Sequence, residues 1–489
     1  MPFWPQFVGG AYRARSESIA ADACINLYPE ITESAESVKK SALYGTPGMK
    51  LLQMVTTAPC RGAFSQDDRS FAVLGDTLYE VNITQATATA ISGTILNDGN
   101  PVSFASNGRG GEQLAIVGGG ALFIFNFVTN VLTGPIGLPL TNDALIVVFI
   151  NGYFVLQEMA SVRRWFSALE DGTSWDALDF FATSQTSDDG VGLIAVHDRL
   201  WCFGSQTASI YYDSGDALTP FQPYPGTVIH EGATSPWSII LQGENVFWLA
   251  QDNLGRGRIV MADGSGGQPV PISTAPISFA ISGYARINDC EALAYEQEGH
   301  PFVAFTFPTG DQTWVWDTRE QMWHQRDQFD EITGVSHRWR ARGCAVQGVE
   351  IMVGDYETGG LYTLSLDTFV DACGPIRRLR RAPYLSSENQ WIFLDRFELG
   401  IQAGIGLITG QGSDPQLMLR VSRDSGATWT PPVVASMGAI GDYLARPAWT
   451  RLGRVRADRL VIEVTQTDPV RTVWGPGAWI RALPGTGQL

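Results

Sequence analysis

Residues Asp289–Asp327 read DCEALAYEQEGHPFVAFTFPTGDQTWVWDTREQMWHQRD. The stretch divides into four short strands: Glu291–Gln297, Pro301–Phe307, Gln312–Asp317 and Gln321–Arg326. Turns fall at Glu298-Gly299, Pro308–Asp311 and Thr318–Glu320. Aromatic and β-branched residues suit a pleated surface, and Gly, Pro and Asp supply the turns. Four strands in about 40 residues is the size of one propeller blade. Trp314 and Trp316 are two apart, so they share a face of their strand.

The same pattern recurs on both sides. From Arg61 onward, hairpin signals fall at Gly75-Asp76, Gly118–Gly120, Asn151-Gly152, His197-Asp198, Gly243-Glu244 and Gln347-Gly348. Asn-Gly at 151–152 is the strongest, because both residues of a type I′ turn need positive φ. The spacing predicts a β-propeller of about seven blades, with six possible, over residues 55–370. A long β-sandwich is the alternative for this region. Residues 1–54 lack the blade pattern, and so do residues 371–489, whose strands around Trp391, Gln416 and Val461 suit a β-sandwich or jelly roll. Both ends are short for a stable domain, so they are expected to fold together as one platform. The polar segment Thr32–Ser41 is expected to be a loop within it.

Composition agrees with an all-β chain. Of 489 residues, 44% are hydrophobic and only 17% charged, with 53 Gly and 26 Pro. No run of about 18 apolar residues occurs, which argues against a membrane-spanning helix. The start, MPFWPQFVGG, has no basic patch before an apolar core and does not read as a signal peptide. Cys24, Cys60, Cys202, Cys290, Cys344 and Cys373 are widely spaced and read as reduced thiols of a protein made in a cytosol.

Signals for catalysis are sparse. His197, His230, His300, His324 and His337 are spread along the chain, with no HxxxH or Cys/His cluster for a metal. There is no phosphate-cradling P-loop or nucleophile elbow, and Gly264–Gly267 lacks a following helix. Asp67-Asp68 and Asp188-Asp189 read as turn residues, where paired acids usually cap amides or are solvated; a calcium site and a catalytic pair are the other readings. Ser422-Arg423-Asp424-Ser425-Gly426-Ala427-Thr428-Trp429 resembles the Asp-box of sialidases, a folded hairpin turn with no catalytic part. A sialidase-like, carbohydrate-active propeller is therefore the alternative function, and a monomeric interaction hub a further one. No catalytic, cofactor or metal residue is assigned.

Charge is uneven. The chain carries −17 overall, but residues 1–374 carry −22 and residues 375–489 carry +5. Two short basic runs stand out in the second part: Arg377, Arg378, Arg380 and Arg381, then Arg451, Arg454, Arg456 and Arg459. The planar fork of arginine pairs carboxylates at two points, so these eight residues are the candidate contacts to a neighbouring subunit or adaptor.

Several stretches together resemble the tail hub or nozzle proteins of short-tailed bacteriophages, also called packaged-DNA stabilisation proteins. They are Cys24–Glu30 (CINLYPE), Tyr44–Lys50 (YGTPGMK), Trp165–Trp175 (WFSALEDGTSW), Asp188–Gly215, Gly299–Trp323, Gly354–Asp367 and Trp449–Arg456. The resemblance runs nearly the full length in order. It implies a structural virion protein without enzymatic activity or cofactor. It also implies a homohexameric ring below the portal and its adaptor, which continues the DNA channel, retains packaged DNA and carries spikes, fibres or a plug. DNA would pass without sequence-specific binding, and an acidic body would keep the channel from gripping phosphates.

Overall fold

The computed structural model describes residues 3–16, 20–32, 41–182, 188–216, 218–252, 254–372, 374–382 and 390–484. Most of the expected loop at 32–41, and Cys373, lie outside them. Among the described residues, six four-stranded antiparallel sheets and four antiparallel strands of a larger sheet follow one another as seven blades. The opening stretch is the sixth, with strands Glu291–Gln297, His300–Phe307, Gln312–Asp317 and Met322–Phe329. First strands of neighbouring blades meet around the axis. Asn151 and Gly152 both take positive φ, +49° and +88°, as a type I′ hairpin requires. Trp314 is 6% exposed, and Trp316 packs on the same core and against Trp323.

The seventh blade is completed from the other end of the chain. Gly48–Thr56 pairs antiparallel with Gly359–Ser365 as its outer strand. Most of this strand had been expected in the platform. It instead ties the first residues of the propeller to its last blade, so the ring closes non-covalently. Gly48 is needed there, because a Cβ would lie 2.2 Å from the Thr368 carbonyl oxygen.

Five blades share a feature that the hairpin pattern did not reveal. Their third strands end in Asn82, Asn126, Asp213, Asp263 and Asp317. Each side chain accepts from an amide two or three residues on, at 2.7–2.9 Å. Such Asx turns satisfy the amides that the strand leaves unpaired.

Both termini build one β-sandwich. One sheet runs Leu27–Ile31, Ser41–Gly45, Val473–Pro484, Trp391–Ile401, Ala448–Arg456. The other runs Ala21–Ile25, Arg378–Arg381, Val461–Gln466, Gln416–Ser422, Val433–Ser436. Phe7, Leu27, Leu43, Phe397, Leu419, Val464 and Trp474 pack between them. The second sheet continues into the sixth blade through a parallel bridge from Ile25 to Gln325. No helix among the described residues is long and apolar enough to cross a membrane.

Candidate functional site: two arginine runs

The first run occupies a central strand. Arg378–Arg381 pairs with Ala21–Ile25 on one side and with Val461–Gln466 on the other. Side chains alternate across a strand, so the run is split between two faces. Arg378 and Arg380 turn inward and are each 1% exposed. Arg380 donates to the carbonyls of Phe7 at 2.7 Å, Gly10 at 2.9 Å and Ala23 at 3.3 Å, and lies 3.6 Å from Asp22. It ties the N-terminal segment to the C-terminal sheet. Arg378 donates to Gln466 Oε1 at 3.3 Å, in space left by Gly45, where a Cβ would meet its Nε at 2.7 Å. Burial draws its guanidinium down to about 10, against the pull of Asp371. Burial likewise pushes the Asp371 carboxyl up to about 6, against Arg326 and Arg378.

Arg378 and Arg380 thus serve the fold rather than a neighbour, which corrects their expected place in a contact surface. The reason is positional: a basic strand between two others must put alternate side chains into the interior. Buried guanidiniums are tolerated there because carbonyls and carboxylates meet them.

Arg377 and Arg381 face the other way. Arg377 reaches Asp327 Oδ2 at 3.2 Å and Ser336 Oγ at 2.7 Å, linking sandwich to propeller. Beside it, Asn26 is fully buried at φ +53°. Its amide donates to Asp327 Oδ1 at 2.6 Å and to the Arg377 carbonyl at 2.9 Å, while its oxygen accepts from the Asp327 amide. One side chain therefore joins the N-terminal strands, the sixth blade and the returning chain. CINLYPE had carried the family resemblance; the structure adds that its Asn is the junction.

The second run lies at the surface. Val455 points into the core, 2% exposed, while Arg454 and Arg456 project from the opposite face of the same strand. Both guanidiniums sit over the Trp391 ring, 4.4 and 5.9 Å from its centroid. Phe393 pairs with Arg454 on one side and with Leu483 on the other. Trp391, Phe393 and Leu483 are 42%, 43% and 49% exposed, so this sheet presents an aromatic and cationic outer face. Arg451 and Arg459 are exposed at the ends of the run. The hydrophobic half of this face was missed in the sequence; alternation in Trp391–Phe393 was its signal.

The remaining motifs are structural. Asp424 Oδ1 accepts from Ser422 Oγ and the Thr428 amide, both at 2.8 Å, and Oδ2 accepts from Thr428 Oγ1 at 2.6 Å. These bonds hold its carboxyl down at about 2. Trp429 Nε1 donates to the Gly426 carbonyl at 3.1 Å, as an Asp-box turn requires. Asp188 accepts from the amides of Ser205, Gln206 and Thr207 at 2.7–3.0 Å, so it caps a turn. Among the described residues no group of His, Cys, Asp and Glu is arranged to hold a metal. Cys24, Cys60, Cys202 and Cys290 are free and buried, and Cys344 is free and half-buried. Burial raises the thiols of Cys24, Cys60 and Cys344 to about 12.

Comparison with known proteins places the two domains in one family. Residues 6–369 match the model described as bacteriophage P22 Gp10, β-propeller. Residues 377–469 match the one described as bacteriophage P22 Gp10, β-sandwich. No curated protein matches the chain. Similar solved structures include the N-terminal domain of Nup159, 10% identical, TM-score 0.41, covering 71% of this chain and 99% of that one. Another is hydrazine synthase of Kuenenia stuttgartiensis, 8% identical, TM-score 0.42, with 64% and 97% covered. A third is PorZ of Porphyromonas gingivalis, 12% identical, TM-score 0.38, with 79% and 46% covered. At these scores the three carry no argument about function.

Proposed function

The chain belongs to the bacteriophage P22 Gp10 family of phage stabilisation proteins, and on that premise we propose that it forms a ring in the phage tail. It is a structural protein of the virion. In this reading, identical subunits, six by family resemblance, close a collar below the portal adaptor. The collar continues the DNA channel, retains the packaged genome and anchors a spike, fibre or plug.

The outer face of the sandwich carries the reading. Trp391, Phe393 and Leu483 are exposed together, with Arg454 and Arg456 stacked on the indole. Trp and Arg dominate the energetics of protein interfaces, where they fill the desolvated centre of the patch. A closed ring buries such a face on every subunit without leaving a free end. The acidic body fits passage of DNA: residues 1–374 carry −22, and each cation absent from the channel removes a counterion-releasing phosphate contact.

Light scattering on the purified chain tests this. The wild type should assemble from its 53.2 kDa monomer into one discrete larger species. Trp391→Ala with Arg454→Glu should stay monomeric with an unchanged melting curve. Tails carrying that variant should lose DNA. A doubly substituted chain that still assembles would take this face out of the ring contact.

A further inference from the structure

The outward half of the first arginine run opens onto a cleft of about 600 Å³ between propeller and sandwich. The Ala275–Ser282 helix and the sixth blade wall one side, and the second sandwich sheet the other. Five arginines line it, Arg13, Arg15, Arg377, Arg381 and Arg420, against two acids, Asp22 and Glu463. Both acids are already engaged. Asp22 faces the buried Arg380. Glu463, 1% exposed, lies directly across the sheet from both Arg381 and Arg420 and accepts from each at 2.9 Å. The cleft is therefore cationic in a chain that is strongly anionic.

Its guanidiniums are also held in plane. Arg381 and Arg420 stack on the ring of Trp429, 4.8 and 5.3 Å from its centroid. The Asp-box turn fixes that indole through Gly426. Arg377 lies over Phe329 at 4.6 Å and Arg15 over Phe279 at 5.4 Å. Orienting the forks in advance lowers the entropy lost when an anion pairs with them.

We propose that this cleft binds an acidic polypeptide segment, rich in Asp and Glu, of an assembly partner. Carboxylates are the anions its arginines already hold: Glu463 for Arg381 and Arg420, Asp327 for Arg377. The volume is that of a pocket for a few side chains, not of a duplex groove. A long DNA duplex would also run against the acidic propeller. Within about one Debye length, 8 Å in physiological salt, a short peptide meets the cleft's own charges, five arginines against Asp22 and Glu463, rather than the acidic propeller as a whole. The inference rests on this cleft and not on ring formation, so either can fail alone.

Fluorescence anisotropy on the full chain tests it, with a labelled poly-glutamate peptide and a short DNA duplex as probes. The wild type should bind the peptide in preference to the duplex, more weakly as salt rises. Arg13→Glu with Arg15→Glu, at the open rim, should weaken peptide binding about tenfold or more. Arg420→Gln, on the opposite wall, should also weaken it, which guards against a misfolded rim variant. Arg256→Glu with Arg286→Glu, a matched charge change elsewhere on the propeller, should bind as wild type. Preference for DNA, equal binding by all variants, or no binding of either probe would overturn the proposal.

Discussion

Two runs of four arginines each, Arg377–Arg381 and Arg451–Arg459, end in opposite surroundings. In the first, Arg378 and Arg380 are sealed inside the sandwich and bond backbone carbonyls and a glutamine. In the second, Arg454 and Arg456 lie over an exposed tryptophan. Local sequence does not make this difference; pairing does. The first run is a central strand with neighbours on both sides, one of them from the N-terminus. The second ends the edge strand of its sheet. A cluster of charge therefore marks a surface only where its strand has a free side or face.

Three substitutions grade this contrast by burial. Arg380→Met leaves the carbonyls of Phe7, Gly10 and Ala23 without their donor and Asp22 without its cation. It should lose about 3–5 kcal/mol in urea unfolding. Glu463→Gln is intermediate. Its carboxylate is buried, but the side chains of Arg381 and Arg420 keep 15% and 40% of their exposure. A loss of about 1–3 kcal/mol is expected. Arg454 is half-buried over the Trp391 ring, and Arg454→Ala should cost least, about 0.5–1 kcal/mol in the monomer, the worth of a cation over an aromatic ring near the surface. Equal losses from Arg380→Met and Arg454→Ala would show that the two runs are not in different environments.

The propeller was legible because each blade is local. Its strands pair with the next in sequence, so hairpin signals at Asn151-Gly152 or Gly243-Glu244 locate them directly. The closing strand Gly48–Thr56 was not, because its partner lies more than 300 residues away. The same distance hid Asn26, whose partners Asp327 and Arg377 are named by no nearby residue. That the termini share a domain followed from the missing blade pattern. Which arginines face inward did not, since period two alone fixes which residues alternate but not which face is buried. The Asx turn after five of the third strands was readable in principle, as Asn or Asp at the end of strands such as Thr77–Asn82 and Gln312–Asp317.

A pair of histidines repeats the contrast within the sixth blade and supplies the subtlest test. His324 is fully buried, and neither ring nitrogen has a hydrogen-bond partner among the described residues. Burial draws it down to about 3, so it stays neutral. His300 is only 2% exposed, but its Nδ1 lies 2.7 Å from Asp317 Oδ2 and its Nε2 3.5 Å from Glu30 of the sandwich. The hydrogen bond to Asp317 raises it, burial opposes, and the charges of Asp317 and Glu30 add to the rise. A histidine raised above its unfolded value near 6.5 binds its proton more tightly in the folded chain. Its contribution is complete below pH 6.5 and disappears as pH rises through the folded value. His300→Gln should therefore narrow the stability gap to wild type between pH 6 and pH 9, with the larger deficit at pH 6. Subtracting the two pH profiles removes His324 and the carboxylates, which titrate in both. A constant difference across that range would mean that Asp317 and Glu30 do not hold the protonated ring. Burial alone would then govern both histidines.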